Sequence, residues 1–208
     1  MILYKYKCYY YIVSMELAEK YSIIPFDNSH IYNIREDLVG KIRVEKIVTL
    51  NEIKQVKDGY GSSRIGLVVL LGYSRNFLFN VSNRGLYSDF GGGIRKKETL
   101  YNGMIREVGE EVPFWADYFL QCAEAEGVKC HVVETLHVDK PELNRIEALV
   151  FIMIDEQEFF KIPFEPTKEV ESIFFVPELY IKHWLESTDN ALLNTGLMQY
   201  KKYLTGRL

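Results

Sequence analysis

Gly91-Gly-Gly-Ile-Arg-Lys-Lys-Glu98-Thr-Leu-Tyr-Asn-Gly-Met-Ile-Arg106-Glu107-Val-Gly-Glu110-Glu111-Val-Pro113-Phe114 sets three consecutive glycines ahead of an amphipathic segment that ends in three clustered glutamates. On a helix counted from Leu100, Glu110, Glu107 and Glu111 fall near about 280°, 340° and 20°, while Leu100, Met104, Val108, Tyr101, Val112 and Ile105 cover about 0° to 140°. The three carboxylates share one narrow face that borders the buried face. Like charges this close raise one another's pKa unless a divalent cation neutralises them. Hard oxygen ligands suit Mg²⁺ or Mn²⁺, ions that also hold water and substrate phosphate. Gly103, near about 300° on the same wheel, reads as space for a metal or a phosphate. The glycines permit positive φ and a close approach of the backbone to a ligand. Their carbonyls can add an oxygen ligand, and N–H groups at the helix start can meet an anion.

Outward from this segment the pattern is that of a layered α/β domain. Ile65-Gly-Leu-Val-Val-Leu-Leu71 is a buried-strand run, Gly72-Tyr-Ser-Arg-Asn76 a turn and Phe77-Leu-Phe-Asn-Val81 a second strand, which together make a hairpin. Leu86 to Phe90 approaches the glycines, and a helix is expected from about Glu98 to Val112. Lys129–Val138, Arg145–Ile154 and Ser172–Val176 read as further strands, and the tail after Pro177 reads as helical. Strands before and after a central helix, with helices at the end, argue an α/β class. Residues 15 to 60 mix a short helical pattern, Met15 to Tyr21, with a β-rich run from Gly40 to Leu50. The expected organisation is an N-terminal extension, residues 1–60, packed on a core of residues 61–208.

Composition narrows the function classes. The 208 residues are 48% hydrophobic and 26% charged, which excludes intrinsic disorder, collagen and a disulfide-stapled miniprotein. A net charge of −4 removes the broad basic footprint of a protein that grips nucleic acid mainly by its backbone. Cys8, Cys122 and Cys130 lack CxxC spacing, so neither a zinc knuckle nor a disulfide framework is indicated. Lys5 and Lys7 interrupt the apolar start and no small-residue cleavage site follows, which argues against a signal peptide. No run approaches the ~20 apolar residues of a membrane span, and a cytoplasmic location without membrane attachment is expected.

The spacing Gly92-x5-Glu98-x7-Arg106-Glu107-Val108-x-Glu110-Glu111 resembles the Nudix box, G-x5-E-x7-R-E-U-x-E-E-x-G-U, where U is a bulky aliphatic residue. Pro113 stands where the box has its last glycine, and Phe114 takes the final apolar place. The resemblance extends from about Ile65 to about Leu179. It implies an α/β/α sandwich with a mixed β-sheet, joined here to the N-terminal extension and the helical C-terminal tail. It also implies hydrolysis of a phosphoanhydride in a nucleoside diphosphate derivative, with Mg²⁺ or Mn²⁺. Glu107 and Glu111 become the principal metal ligands, with Glu107 also a base toward water. Glu110 ligates directly or through water, the Gly91 or Gly92 carbonyl contributes, and Glu98 pairs with Arg106 or reaches an outer metal. Proline at position 113 stops the helix and biases Val112 away from helical angles, which changes the chain's exit two residues after Glu111.

Residues outside the box divide between functional and ordinary roles. Glu147, Glu165, Glu169 and Glu171 are candidates for one more assisting acid, with Glu169 and Glu171 favoured by their place before the Ser172 strand. Arg95, Lys96 and Lys97 either attract substrate phosphate or merely solubilise the loop. Tyr60-Gly-Ser-Ser-Arg64 is a candidate substrate-side loop, Arg64 included. His30, His131, His137 and His183 show no ligand spacing, and Cys130 and His131 are expected on opposite faces of a strand. The expected partner is a small phosphoanhydride, probed against two alternatives: an RNA 5′ end or cap, and a catalytically silent nucleotide-binding module. Edge strands permit dimerisation without requiring it.

Overall fold

The computed structural model describes residues 2–6, 9–13, 31–36, 41–57, 63–137 and 140–205. The helical pattern expected at Met15 to Tyr21 and most of the Tyr60–Arg64 loop lie outside the described residues.

A small antiparallel hairpin joins β1 (Ile2–Tyr6) to β2 (Tyr9–Val13). The main sheet begins with β3 (Ile31–Glu36) and β4 (Lys41–Thr49), followed by the short helix α1 (Leu50–Ile53). Next come β5 (Arg64–Leu71), β6 (Asn76–Ser82), β7 (Tyr87–Ser88) and β8 (Phe90–Gly93). Helices α2 (Leu100–Glu111) and α3 (Ala116–Ala123) precede β9 (Lys129–His137) and β10 (Arg145–Ile154). The chain ends with α4 (Glu156–Phe159), β11 (Val170–Pro177), α5 (Ile181–Ser187) and α6 (Thr195–Thr205).

The sheet order is β11-β6-β5-β10-β9-β4-β3, with β7 on β6 and β8 on β5. Among the described strands only β5 and β10 pair in parallel, so the sheet is mixed as expected. The division expected at residue 60 does not fall at a break in the sheet. Strand β4 pairs along its whole length with β9, from Lys41 opposite His137 to Thr49 opposite Lys129, so residues 41–49 complete the core rather than lie on it.

Alternation along the central strands builds the two layers. Ile65, Leu67 and Val69 of β5 and Ala148, Val150 and Ile152 of β10 meet Leu100, Met104 and Val108 of α2 and Phe119 of α3. Their neighbours Val68 and Leu149 face the other way, toward Leu185 of α5 and Leu197 and Tyr200 of α6. The result is an α/β/α sandwich. The same alternation puts Cys130 in the first layer and His131 on the α6 side, where its Nε2 lies 2.7 Å from Glu45. Among the described residues no helix is long and apolar enough to cross a membrane.

Candidate active site

Strand β8 and helix α2 hold the site between them. Thr99 caps α2, its hydroxyl accepting from the Asn102 amide at 3.1 Å, a stabilisation of about 1 kcal/mol. The Leu100 amide donates to Val56 O at 2.8 Å, tying the helix start to the segment after α1. Between β8 and α2 the loop turns through Lys97 at φ 69°, and the Glu98 side chain folds back to accept from the Arg95 amide at 2.8 Å. The helix ends as the proline predicts: Val112 has φ −138° and ψ 62°, while its amide still donates to Val108 O at 2.9 Å.

Arg106 is the hub of the loop. Its Nε donates to Glu98 Oε1 at 3.1 Å, and its Nη2 donates to Glu98 Oε2 at 3.0 Å and to Gly93 O at 2.7 Å. Its Nη1 reaches Glu107 Oε1 at 2.5 Å and Glu110 Oε2 at 3.2 Å. The guanidinium holds the Glu98 carboxyl below its usual range. The Glu98–Arg106 pairing implied by the box is therefore present.

The glycines are required by what approaches them. A Cβ at Gly92 would strike the Glu107 carboxylate, which lies directly against that part of the backbone. A Cβ at Gly91 would strike the β5 backbone at Ile65 and Gly66. Gly103 has a different reason from the one expected: the Ile94 side chain occupies the space beside it, so packing and not a ligand demands glycine there.

The three glutamates are unequal. Glu111 is 8% exposed and accepts from the Gly91 amide through Oε2 at 2.9 Å. Burial, followed by the negative charge of Asp89, pushes its carboxyl up to about 9. Glu107 is also buried, and burial raises its pKa while Arg106 pulls it down. Glu110 is more open and shares its second oxygen with Arg95 at 3.3 Å. Glu169 stands close enough to Glu107 to raise its pKa further, whereas Glu171 is exposed on β11. Thr167 ties the Glu169 segment to the helix end by donating to Glu111 O at 3.0 Å.

Arg64 is turned inward, its guanidinium buried. It pairs with fully buried Asp89, donating to Oδ2 at 2.9 Å, and donates to Gly91 O at 3.2 Å. Asp89 Oδ1 also accepts from Asn194 Nδ2 at 2.8 Å, and Gly196 of α6 lies so close that a side chain there would collide with both members of the pair. Asp89, Asn194 and Gly196 escaped the sequence reading. Asp89, in the alternating approach to the glycines, was the one with a signal to find. Arg95 and Lys96 are exposed on the loop, and Glu147 is buried on β10, 3.7 Å from Arg145.

The donor set fits a hard divalent cation in its chemistry: carboxylate oxygens, with Glu107 set against a backbone that has no Cβ to displace it. Among the described residues no group of three or more acids, imidazoles or thiols is already drawn together as a metal cage. Arg106 takes up Glu107 and Glu110 instead.

No family model matches the chain, and no curated protein matches it. Solved structures do resemble it. An Ap4A hydrolase from C. elegans is 14% identical, with a TM-score of 0.43 over 70% of this chain and 98% of its own. A MutT protein from Methanosarcina mazei Go1 is 13% identical, with a TM-score of 0.44 over 70% of this chain and 93% of its own. A mutant of the Bacillus subtilis pyrophosphohydrolase BsRppH is 12% identical, with a TM-score of 0.42 over 84% of this chain and 97% of its own.

Proposed function

We propose that this chain hydrolyses a phosphoanhydride in a nucleoside diphosphate derivative, with Mg²⁺ or Mn²⁺ held by Glu107, Glu110 and Glu111 and a carbonyl of Gly91 or Gly92. The observation that carries this reading is the Glu107 carboxylate lying against side-chain-free Gly92, next to Glu111 anchored on the Gly91 amide. A divalent cation there would neutralise phosphate oxygens and lower the pKa of bound water.

The chain's own residues supply the rest. Glu107, with its carboxyl raised by burial, is suited to accept a proton from water. Arg106 holds Glu98 and the Gly93 carbonyl and so keeps the loop in place when Glu107 and Glu110 turn to other partners. Arg95 and Lys96 offer exposed positive charge to the phosphates, and Glu169 approaches Glu107 from β11's side of the cleft as the assisting acid. Arg64 acts by fixing Gly91 and Asp89.

The test is phosphate release from nucleoside triphosphates, ADP-ribose, dinucleoside polyphosphates, NADH, diphosphoinositol phosphates and capped RNA, with Mg²⁺, Mn²⁺ or EDTA. Release from a nucleoside diphosphate derivative that EDTA abolishes is expected. A folded protein that releases nothing from the whole panel is not this enzyme.

A further inference from the structure

A cavity of about 240 Å³ opens between the sheet and α6, lined by Arg43, Arg145, Glu147, Thr195, Gln199 and Lys202 among others. That is ample for more than a single water, which needs only ~10–15 Å³. Register explains the cluster. Arg43 of β4 and Arg145 of β10 both stand opposite Thr135 of β9, so the two side chains leave the strands on either side of β9 on one face, about 10 Å apart at the backbone. Lys202 descends on them from α6.

Three cations thus share the cavity with one carboxylate, Glu147, which lies 3.7 Å from Arg145. Among the described residues Arg43 and Lys202 make no ion pair. Burial and the Arg43 and Arg145 charges press the Lys202 ammonium toward its neutral form, with Glu147 opposing them. This wall lacks an anion. Beside it stands an acceptor without a donor: Gln199 is 4% exposed, its Nε2 donates to Glu147 O at 3.0 Å, and its Oε1 has no hydrogen-bond partner. A buried unsatisfied acceptor costs about 1–3 kcal/mol; this oxygen is closed to water, so a ligand hydroxyl would remove that cost by drawing the amide round toward the cavity.

The geometry points to a second subsite: this cavity binds a phosphorylated sugar, with the phosphate against Arg43, Arg145 and Lys202 and a sugar hydroxyl donating to Gln199 Oε1 once that side chain turns to meet it. It lies at the end of the sheet where β5 and β10 begin and β8 ends. Glu147 is opposite Arg64, and Arg64 is opposite Gly93, so two strand spacings, about 10 Å, separate the cavity wall from the glycine strand. The glutamates stand on the α2 face of the sheet and the cavity on its α6 face, so a substrate that reaches both passes around the strand ends, with its anhydride at the glutamates and its sugar phosphate in the cavity. The link to substrate rests on the proposed hydrolase function; the binding itself does not.

The experiment is calorimetry on the full chain in EDTA with ribose 5-phosphate, inorganic phosphate and ribose. Ribose 5-phosphate is expected to bind more tightly than either component. R43Q/K202Q is expected to weaken it by about tenfold or more, as loss of charged hydrogen bonds requires. Q199A is expected to weaken ribose 5-phosphate but not inorganic phosphate, and E107Q to leave both unchanged. In the wild type, NMR should show the Gln199 side-chain amide and Thr195 shifting on titration, a readout that needs no variant to fold. Absence of binding at millimolar ribose 5-phosphate, shifts confined to other regions, or a folded R43Q/K202Q that binds like wild type would each overturn the subsite. Sugar phosphate binding without turnover of any panel substrate would leave the subsite standing and remove the hydrolase.

Discussion

The Gly91 amide donates to Glu111 Oε2 at 2.9 Å, so strand β8 and the last turn of α2 are joined through a carboxylate that sits almost out of water. Burial, together with Asp89 nearby, pushes the Glu111 carboxyl up to about 9. In the metal-free protein it therefore keeps a proton at neutral pH that the unfolded chain has released. The folded state binds more protons than the unfolded one between pH ~4.5 and ~9, so stability falls as pH rises through that window. The slope reaches at most about 1.4 kcal/mol per pH unit for one such group. Urea denaturation in EDTA between pH 5 and pH 9 measures it, and E111Q is expected to flatten the curve. A wild-type slope unchanged in E111Q would remove Glu111 as its source.

Replacing Glu107 by glutamine removes the proton acceptor and a cation ligand while keeping size and burial. Turnover on the responsive substrate should fall by about 10²-fold or more, with the thermal midpoint little changed. Undiminished phosphate release by folded E107Q would falsify the role given to this residue.

Gly92→Ala forces a methyl group into the Glu107 carboxylate. Overpacking of this kind costs about 1–3 kcal/mol, and here the displaced group is the reactive one, so activity should fall further than stability. Parallel denaturation and rate measurements separate the two. Equal activity per folded molecule in G92A would mean that Glu107 works from a different position.

Asp89→Ala leaves the Arg64 guanidinium buried beside Glu111 without its principal partner. Removing one member of a buried pair costs about 3–5 kcal/mol, and the loss should appear as a lowered urea midpoint with reduced protection of the β5 and β8 amides from hydrogen exchange. A D89A protein as stable as wild type would show that the pair does not brace the glycine strand.

The helix and its carboxylates were legible because their meaning lies in spacing: Glu107, Glu110 and Glu111 fall on one arc of any helix, and Pro113 ends it wherever it is placed. The hairpin of β5 and β6 was legible for a similar local reason, an apolar run interrupted by a turn. Strand β4 was harder to place, because its partner β9 is supplied by residues about ninety positions later, and a charged stretch containing Lys41, Arg43, Glu45 and Lys46 looks like surface. Lys46 is in fact 1% exposed and 2.7 Å from Glu134. Such ion pairs are written across the sheet and not along the chain. Gly103 misled because a bare helix position looks the same in sequence whether a metal or Ile94 fills it. Arg64 misled because a basic residue beside a substrate-side loop gives no sign that Asp89 and Asn194 will draw it inward.

The closing of α6 over the Arg64–Asp89 pair places the cover of an early strand pair in a late part of the chain. β5, β8 and α2 leave the ribosome early and are near neighbours in sequence, so they can meet while the rest is unmade. β10, the parallel neighbour of β5, comes later, and Asn194 and Gly196 later still. Without that part of the chain Arg64 and Asp89 would lack the cover of Gly196 and the hydrogen bond from Asn194. A nascent chain, or one nicked before α6, would carry every carboxylate of the site without the clamp that aims them.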